Sequence, residues 1–355
     1  MKLPGRHILA LATLFFFGFP ADSATLETVR LQNRSYIRIA DWARLRGFKS
    51  FRPASSREVL LTNANTRITL RIDGSRIEFN NVGLWLSYPV LLSEGQVLVS
   101  EQDLRGVLDS LTHPRKLAPN RPIRTICLDA GHGGKEPGQK LGTRLEKTYT
   151  LALAMEVRAR LVQQGFSVIL TRRDDTYVDH PERTAIAKRA GADLFVSLHY
   201  NASADAGSDA NGMEVYAMTP EGARSTNISA DVGSLRAWAG NDFDAQNILL
   251  AHQIQGALLR RLPGSEDRGV RRARFLVLRL AEMPAVLIEG GFMSNASDAR
   301  WIYSVTGRKK MAQAIVEGIV GYKKLIAPLP PAKPPQRSTS STSSTKTARP
   351  ESANN

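Results

Sequence analysis

Residues 123–326 alternate short apolar runs with stretches of helical periodicity. Ile126-Cys127-Leu128, Val168-Ile169-Leu170, Phe195-Val196-Ser197-Leu198, Met213–Met218, residues 275–278 and Ala285-Val286-Leu287-Ile288 read as strands. Leu153, Ala154, Val157 and Leu161 recur at helical spacing, and helices are expected over 181–190, 245–262 and 309–325. This alternation predicts an α/β fold: a mostly parallel, twisted sheet with helices on both faces. Ahead of it, residues 25–112 read as a small β-rich (α+β) domain. Ile68, Leu70 and Ile72 alternate with polar residues, Asp73-Gly74 supplies the turn, and Ile77 and Phe79 resume the alternation, which is a hairpin signal. Short helices are expected over 40–46 and 101–108. Residues 113–122, with three prolines, read as a linker. The tail 327–355 is rich in Pro, Ser and Thr and is expected to be disordered.

The first 23 residues carry the pattern of a secretory signal: Lys2 and Arg6, an apolar run from Ile8 to Phe19, then the small Ala21 and Ser23 around Asp22. The run is short for a membrane span, which takes about 20 apolar residues, and an uncleaved anchor is the alternative. The expectation is an exported protein, periplasmic or associated with the cell wall, with no transmembrane span in the mature chain. A formal charge of +15 favours polyanionic partners. For an exported chain these are a carboxylate-rich wall or an anionic membrane surface rather than nucleic acid. Arg260, Arg261, Arg268, Arg271, Arg272, Arg274 and Arg279 concentrate that charge, either as a binding feature or as an ordinary solvated surface. The single cysteine, Cys127, excludes an intramolecular disulfide and a thiolate zinc cluster, and in its apolar strand it reads as a buried structural residue.

Three of the strands end in a side chain suited to metal binding or proton transfer. The first runs through Asp129-Ala130-Gly131 into His132, flanked by Gly133 and Gly134; the others run into His199 and Glu289. In open α/β sheets the crevice at the carboxyl ends of the strands holds the site. Glu146 falls in the loop after His132, just before a helix. Two imidazoles and one carboxylate, with a position left for water, form a catalytic zinc set, whereas magnesium and calcium prefer all-oxygen shells. Taken singly, a histidine at a strand end is more often a satisfied structural residue. His180, before Pro181, and His252, within a helical pattern, read as structural or solvated; Arg183 and Asn201 lie near the mouth, as substrate contacts or surface pairs.

Taken in order, Asp129-Ala130-Gly131-His132-Gly133-Gly134, Leu145-Glu146-Lys147, Thr171-Arg172, residues 192–201 through His199-Tyr200-Asn201, and residues 284–292 around Glu289 resemble the zinc-dependent N-acetylmuramoyl-L-alanine amidases of the amidase-3 type. The resemblance covers about 123–325. It implies that His132, Glu146 and His199 bind one Zn2+ and that Glu289 is the catalytic carboxylate. It also implies peptidoglycan as substrate and leaves room for a protein activator. The Asp usual after the double glycine is replaced here by Glu136. Residues 25–112 loosely resemble the small stalk domain named after the N-terminal domain of copper amine oxidase. The polar stretch 219–247 is expected to shape the substrate path; in the alternative it is a regulatory plug, with Glu221, Asp231 or Asp242 reaching the metal. The chemistry alone also fits an exported zinc peptidase, and the fold alone a non-catalytic wall-binding protein.

Overall fold

The computed structural model describes residues 26–31, 33–51, 56–118, 122–201, 203, 208–226 and 236–328. The expected leader lies outside these residues, as does the tail beyond 328. In chain order the elements are β1 (Thr28–Leu31), β2 (Arg34–Arg38), α1 (Ile39–Leu45), β3 (Lys49–Phe51), β4 (Glu58–Thr62), β5 (Arg67–Arg71), β6 (Arg76–Phe79), β7 (Val82–Trp85), β8 (Leu91–Ser93) and β9 (Gln96–Ser100). A helical stretch follows: α2 (Glu101–Asp103), a π-turn and α3 (Ser110–Thr112). Then come β10 (Thr125–Ala130), the two-residue strands β11 (Lys140–Leu141) and β12 (Arg144–Leu145), α4 (Glu146–Gln163), β13 (Ser167–Leu170), α5 (His180–Arg189), β14 (Leu194–Asn201) and β15 (Met213–Met218). The chain closes with α6 (Asp244–Arg261), β16 (Asp267–Ala273), α7 (Leu276–Leu280), β17 (Ala285–Phe292), α8 (Ala296–Ile302) and α9 (Val305–Ile326).

The α/β expectation is met. The central strands run β13-β10-β14-β17-β15-β16, parallel except where β15 meets β17. The strands β13, β10, β14 and β17 are largely apolar on both faces because helices cover both. Leu153, Val157 and Leu161 of α4, Ile248 and Ile254 of α6, and Ile315 and Ile319 of α9 close one face. Ala187 of α5 and Val277 and Leu278 of α7 close the other, over Cys127, Phe195 and Leu287. Cys127 is fully buried, and burial pushes its thiol far above the usual range.

Two expectations need correction. Residues 275–278 do not form a strand: Leu276–Leu280 is a short helix, and the strand lies one element earlier, at Asp267–Ala273. The apolar run 276–278 fits either geometry, and the charges of Asp267-Arg268-Gly269-Val270-Arg271-Arg272 disguise a strand whose polar side chains find partners. The arginine-rich stretch is likewise no uniform solvated surface. Arg272 and Arg274 are buried, and Arg268 and Arg271 are ion-paired with a buried glutamate, Glu214.

The N-terminal segment continues the same sheet. β16 pairs in parallel with β7 at Val270↔Leu84, and the antiparallel strands β7-β6-β5-β4-β3 extend it to eleven strands. The expected hairpin is β5–β6, with Ile68 opposite Phe79. Leu61, Ile68, Leu84 and Val107 share one apolar cluster with α4, α6 and α9. In the stretch read as a linker, Leu117 N–H donates to Ile326 O at 2.7 Å, tying residues 113–118 to the end of α9. No helix among the described residues is long and apolar enough to cross a membrane.

Candidate metal centre

The site lies toward the carboxyl ends of β10, β14 and β17. Backbone conformation brings the first imidazole into place: His132 has φ 61°, a left-handed conformation uncommon outside glycine. Gly133 follows at φ 133°, and a Cβ there would collide with the Thr176 carbonyl, so only glycine lets this loop lie against its neighbour. Glu146 is the first residue of α4 and 4 % exposed. His199 sits near the end of β14, directly beside Glu289 on β17.

These side chains converge. His132 Nε2 lies 3.1 Å from Glu146 Oε2, and His199 Nδ1 lies 3.1 Å from Glu146 Oε1. One ligand atom from each of the three residues falls within 4.8 Å of the other two. Gln139 N–H (2.9 Å) and Tyr200 N–H (3.1 Å) also donate to the Glu146 carboxylate. Burial alone would raise the Glu146 carboxyl, but the hydrogen bonds from the two imidazoles hold it far below the usual range. Two neutral-capable imidazoles around a fixed anion are a donor set that fits a divalent cation of zinc's type.

Glu289 has the opposite surroundings. Its Oε2 is buried and has no hydrogen-bond partner among the described residues. Burial first, then the charges of Glu146 and Glu214, push its carboxyl well above the usual range. The cleft above it has a volume of about 440 Å³. His180, Arg183, Glu136 and Asn201 line it with the four central residues, and Phe275, Leu276, Val277 and Leu287 add an apolar side.

The other candidates sort by what they touch. Arg183 reaches the cleft wall, but it is 2 % exposed and makes four hydrogen bonds of its own. It binds Asp129 Oδ1 (2.7 Å), Ala130 O (2.9 Å), Val178 O (2.9 Å) and His132 O (2.9 Å), so it fixes the His132 loop and is not a surface pair. Asn201 donates to Glu214 Oε1 at 2.6 Å. His252 is buried in α6 with Nε2 3.2 Å from Phe79 O, a structural role as expected. His180 begins α5, as expected, and also lines the cleft. Neither Glu221 nor Asp242 lines the cleft. Glu221 O accepts from Gln102, Asp242 borders a separate hollow near Arg46 and Arg105, and Asp231 lies outside the described residues.

Two residues escaped the sequence reading. Asp129 is fully buried and takes hydrogen bonds from Thr171 (2.7 Å), Ser197 (2.7 Å) and Arg183. Burial opposes its charge, but Arg183 and the two hydroxyls hold its carboxyl below the usual range. Glu214 is 2 % exposed and lies directly opposite Glu289 on the neighbouring strand. A lone acid inside the otherwise apolar Met213–Met218 was the available signal.

Fold and site together define an α/β domain with a metal-capable His–Glu–His centre near the carboxyl edge of its sheet and the buried Glu289 carboxylate beside it. Residues 126–320 match the N-acetylmuramoyl-L-alanine amidase family of the amidase-3 type, and the chain belongs to that family. It is 37 % identical over 198 residues to N-acetylmuramoyl-L-alanine amidase LytC of Bacillus subtilis, covering 56 % of this chain and 35 % of LytC. It is 31 % identical over 223 residues to N-acetylmuramoyl-L-alanine amidase AmiA of Escherichia coli K12, covering 56 % of this chain and 76 % of AmiA. The solved amidase AmiC2 of Nostoc punctiforme matches with 32 % identity and a TM-score of 0.48, over 58 % of this chain and 99 % of that one. The match thus spans about a third of LytC and three quarters of AmiA.

Proposed function

We propose that this chain is an exported, zinc-dependent N-acetylmuramoyl-L-alanine amidase. In this reading it cleaves the amide between the lactyl group of N-acetylmuramic acid and the L-alanine of the stem peptide in peptidoglycan. The observation that carries this reading is the His132–Glu146–His199 donor set beside Glu289, whose Oε2 has no hydrogen-bond partner among the described residues, within a stretch that matches the amidase family. His132, Glu146 and His199 would hold one Zn2+, which when bound acidifies a coordinated water towards pKa about 7 and polarises a carbonyl.

The chain's own residues supply the rest. Glu289 Oε2, buried and without a donor, accepts the proton of the attacking water. It then returns that proton to the departing alanine nitrogen, a role typically worth about 10²–10⁴-fold. Arg183 and Asp129 keep the His132 loop in its left-handed turn. Phe275, Leu276 and Val277 exclude water from one side of the cleft.

Digestion of purified sacculi, with and without a chelator, tests the reading by mass spectrometry of the new ends. Free L-alanine amines on released stem peptides, with intact glycan and full chelator sensitivity, are expected. Cuts confined to the interior of stem peptides would replace the amidase with a peptidase. Sedimentation with sacculi without any product would replace it with a binding protein.

A further inference from the structure

The N-terminal segment meets the catalytic half of the sheet along β7 and β16, and a chain of polar contacts leads from that seam to the cleft. Trp85 Nε1–H donates to Arg268 O at 2.8 Å, and the Arg271 guanidinium lies over the Trp85 ring, 4.7 Å from its centroid. On their other side, Arg271 Nε is 2.7 Å and Arg268 Nε 3.0 Å from Glu214 Oε2. Glu214 Oε1 accepts from Asn201 Nδ2 at 2.6 Å and from the Tyr216 hydroxyl at 3.0 Å. Asn201 lines the cleft, and Glu214 stands opposite Glu289 in the β15–β17 register. Residues so placed keep their Cβ atoms about 4.5–5.5 Å apart.

A buried ion pair of this kind is a weak source of stability, because desolvating its members offsets most of their attraction. What the acid uniquely provides is direction: it fixes the Asn201 amide at the cleft wall and the two arginines beside the Glu289 strand.

We propose that Glu214 is a positioning residue for the hydrolysis, and that Trp85 of the N-terminal segment is a second one, acting through Arg268 and Arg271. The β-rich segment is then part of the catalytic apparatus in addition to any task outside it. The kinetic consequence rests on the amidase reading; the structural linkage does not.

The test uses the full chain carrying Trp85→Ala, Trp85→Phe, Glu214→Gln, and Trp85→Ala with Glu214→Gln. Each is assayed on a soluble glycan–peptide fragment bearing the lactyl–alanine amide, with bound zinc measured alongside. Misplacement of a positioned group by an ångström can cost up to about 10²-fold. Trp85→Ala should therefore lower kcat about tenfold, with KM and zinc content within about twofold of wild type. Trp85→Phe, which keeps the ring under Arg271, should recover part of the loss. The double variant should be no slower than Glu214→Gln alone, because residues acting in series do not add.

Hydrogen exchange of the metal-free proteins gives a readout independent of turnover. Amides of Met213–Met218 and Ala285–Phe292 should exchange about tenfold faster in Trp85→Ala than in wild type. If Glu214→Gln does not fold, the Trp85 pair decides. If wild-type protein cleaves no wall amide, the amidase reading falls and the exchange result alone decides the linkage. A folded Trp85→Ala with wild-type kcat and unchanged exchange in both strands overturns the proposal, as does a loss of turnover that only follows lost zinc.

Discussion

Replacing Arg183 with Met tests how the His132 loop is held. The guanidinium is 2 % exposed and donates to Asp129, Ala130, His132 and Val178, while Asp129 is fully buried. Methionine fills much of the volume but leaves the Asp129 carboxylate with only the Thr171 and Ser197 hydroxyls, and the His132 carbonyl without its donor. Removing one partner of a buried pair costs about 3–5 kcal/mol. The loss depends on pH, and its sign follows from Asp129. In wild type its carboxyl is held below the usual range, so it contributes stability that is present above the unfolded value and lost as pH falls. In the variant, burial without a counter-charge raises the same carboxyl, so stability is kept at low pH and lost as pH rises. The difference between the two proteins must therefore widen from pH 5 to pH 8. Urea unfolding with a chelator present, at both pH values, reads it free of metal linkage. Zinc affinity by competition with a chromophoric chelator should fall about 10–100-fold, as for other residues that orient metal ligands. A loss below about 1 kcal/mol at pH 8, or a deficit that grows towards low pH, would refute the reasoning.

Three further outcomes are expected. Glu289→Gln should keep its zinc and lose about 10²–10⁴-fold in turnover, measured on sacculi and by metal analysis; loss of zinc instead would assign Glu289 to the ligand set. Gly131→Ala places a Cβ against the His199 ring, so equilibrium dialysis should show greatly weakened zinc binding, with overpacking costing about 1–3 kcal/mol in thermal or urea unfolding. Wild-type zinc affinity would show that His199 does not need its present position. Asp244, pushed up to about 6 first by burial, is favourable to the fold only while protonated, so its contribution is lost as pH rises from about 4 through 6. Asp244→Asn still accepts from Asn241 and should stabilise the protein by up to roughly 3 kcal/mol at pH 8 and not at all at pH 3.5. Parallel urea curves at the two pH values decide it.

The strands that carry the site were legible because each is an apolar run ending in a polar residue beside glycine or at a sheet edge. His132 follows the end of β10, while β14 and β17 run two and three residues past His199 and Glu289, and Glu146 opens the following helix. The strand Asp267–Ala273 was not legible, because its arginines are neutralised by residues remote in sequence, Glu214 above all. Arg183 misled for the same reason: its partner Asp129 is 54 positions away, and nothing local marks the pair as buried. The two halves join into one sheet at the register pair Val270 with Leu84, where Trp85 meets Arg268 and Gly83 N–H meets Asp267. No periodicity in either segment records such a seam.

Three carboxylates meet near the centre of this site, and their surroundings differ in a way that assigns them different work. Glu146 receives His132, His199, Gln139 and Tyr200, and Glu214 is met by Arg268, Arg271, Asn201 and Tyr216. Each has four donors or cations, enough to keep an anion stable away from water. Glu289 stands in register between His199 on one neighbouring strand and Glu214 on the other, with its Oε2 unpartnered. Two fixed anions beside a third acid raise its proton affinity, and the absence of donors leaves its lone pairs available. A divalent cation held by His132, Glu146 and His199 would offset that repulsion and lower the affinity again, so Glu289 would release its proton when the centre is loaded. An acid whose proton depends on a neighbouring cation is suited to taking a proton from water and giving it back to an amine. Glu146, whose carboxyl the two imidazoles hold far below the usual range, could not do so.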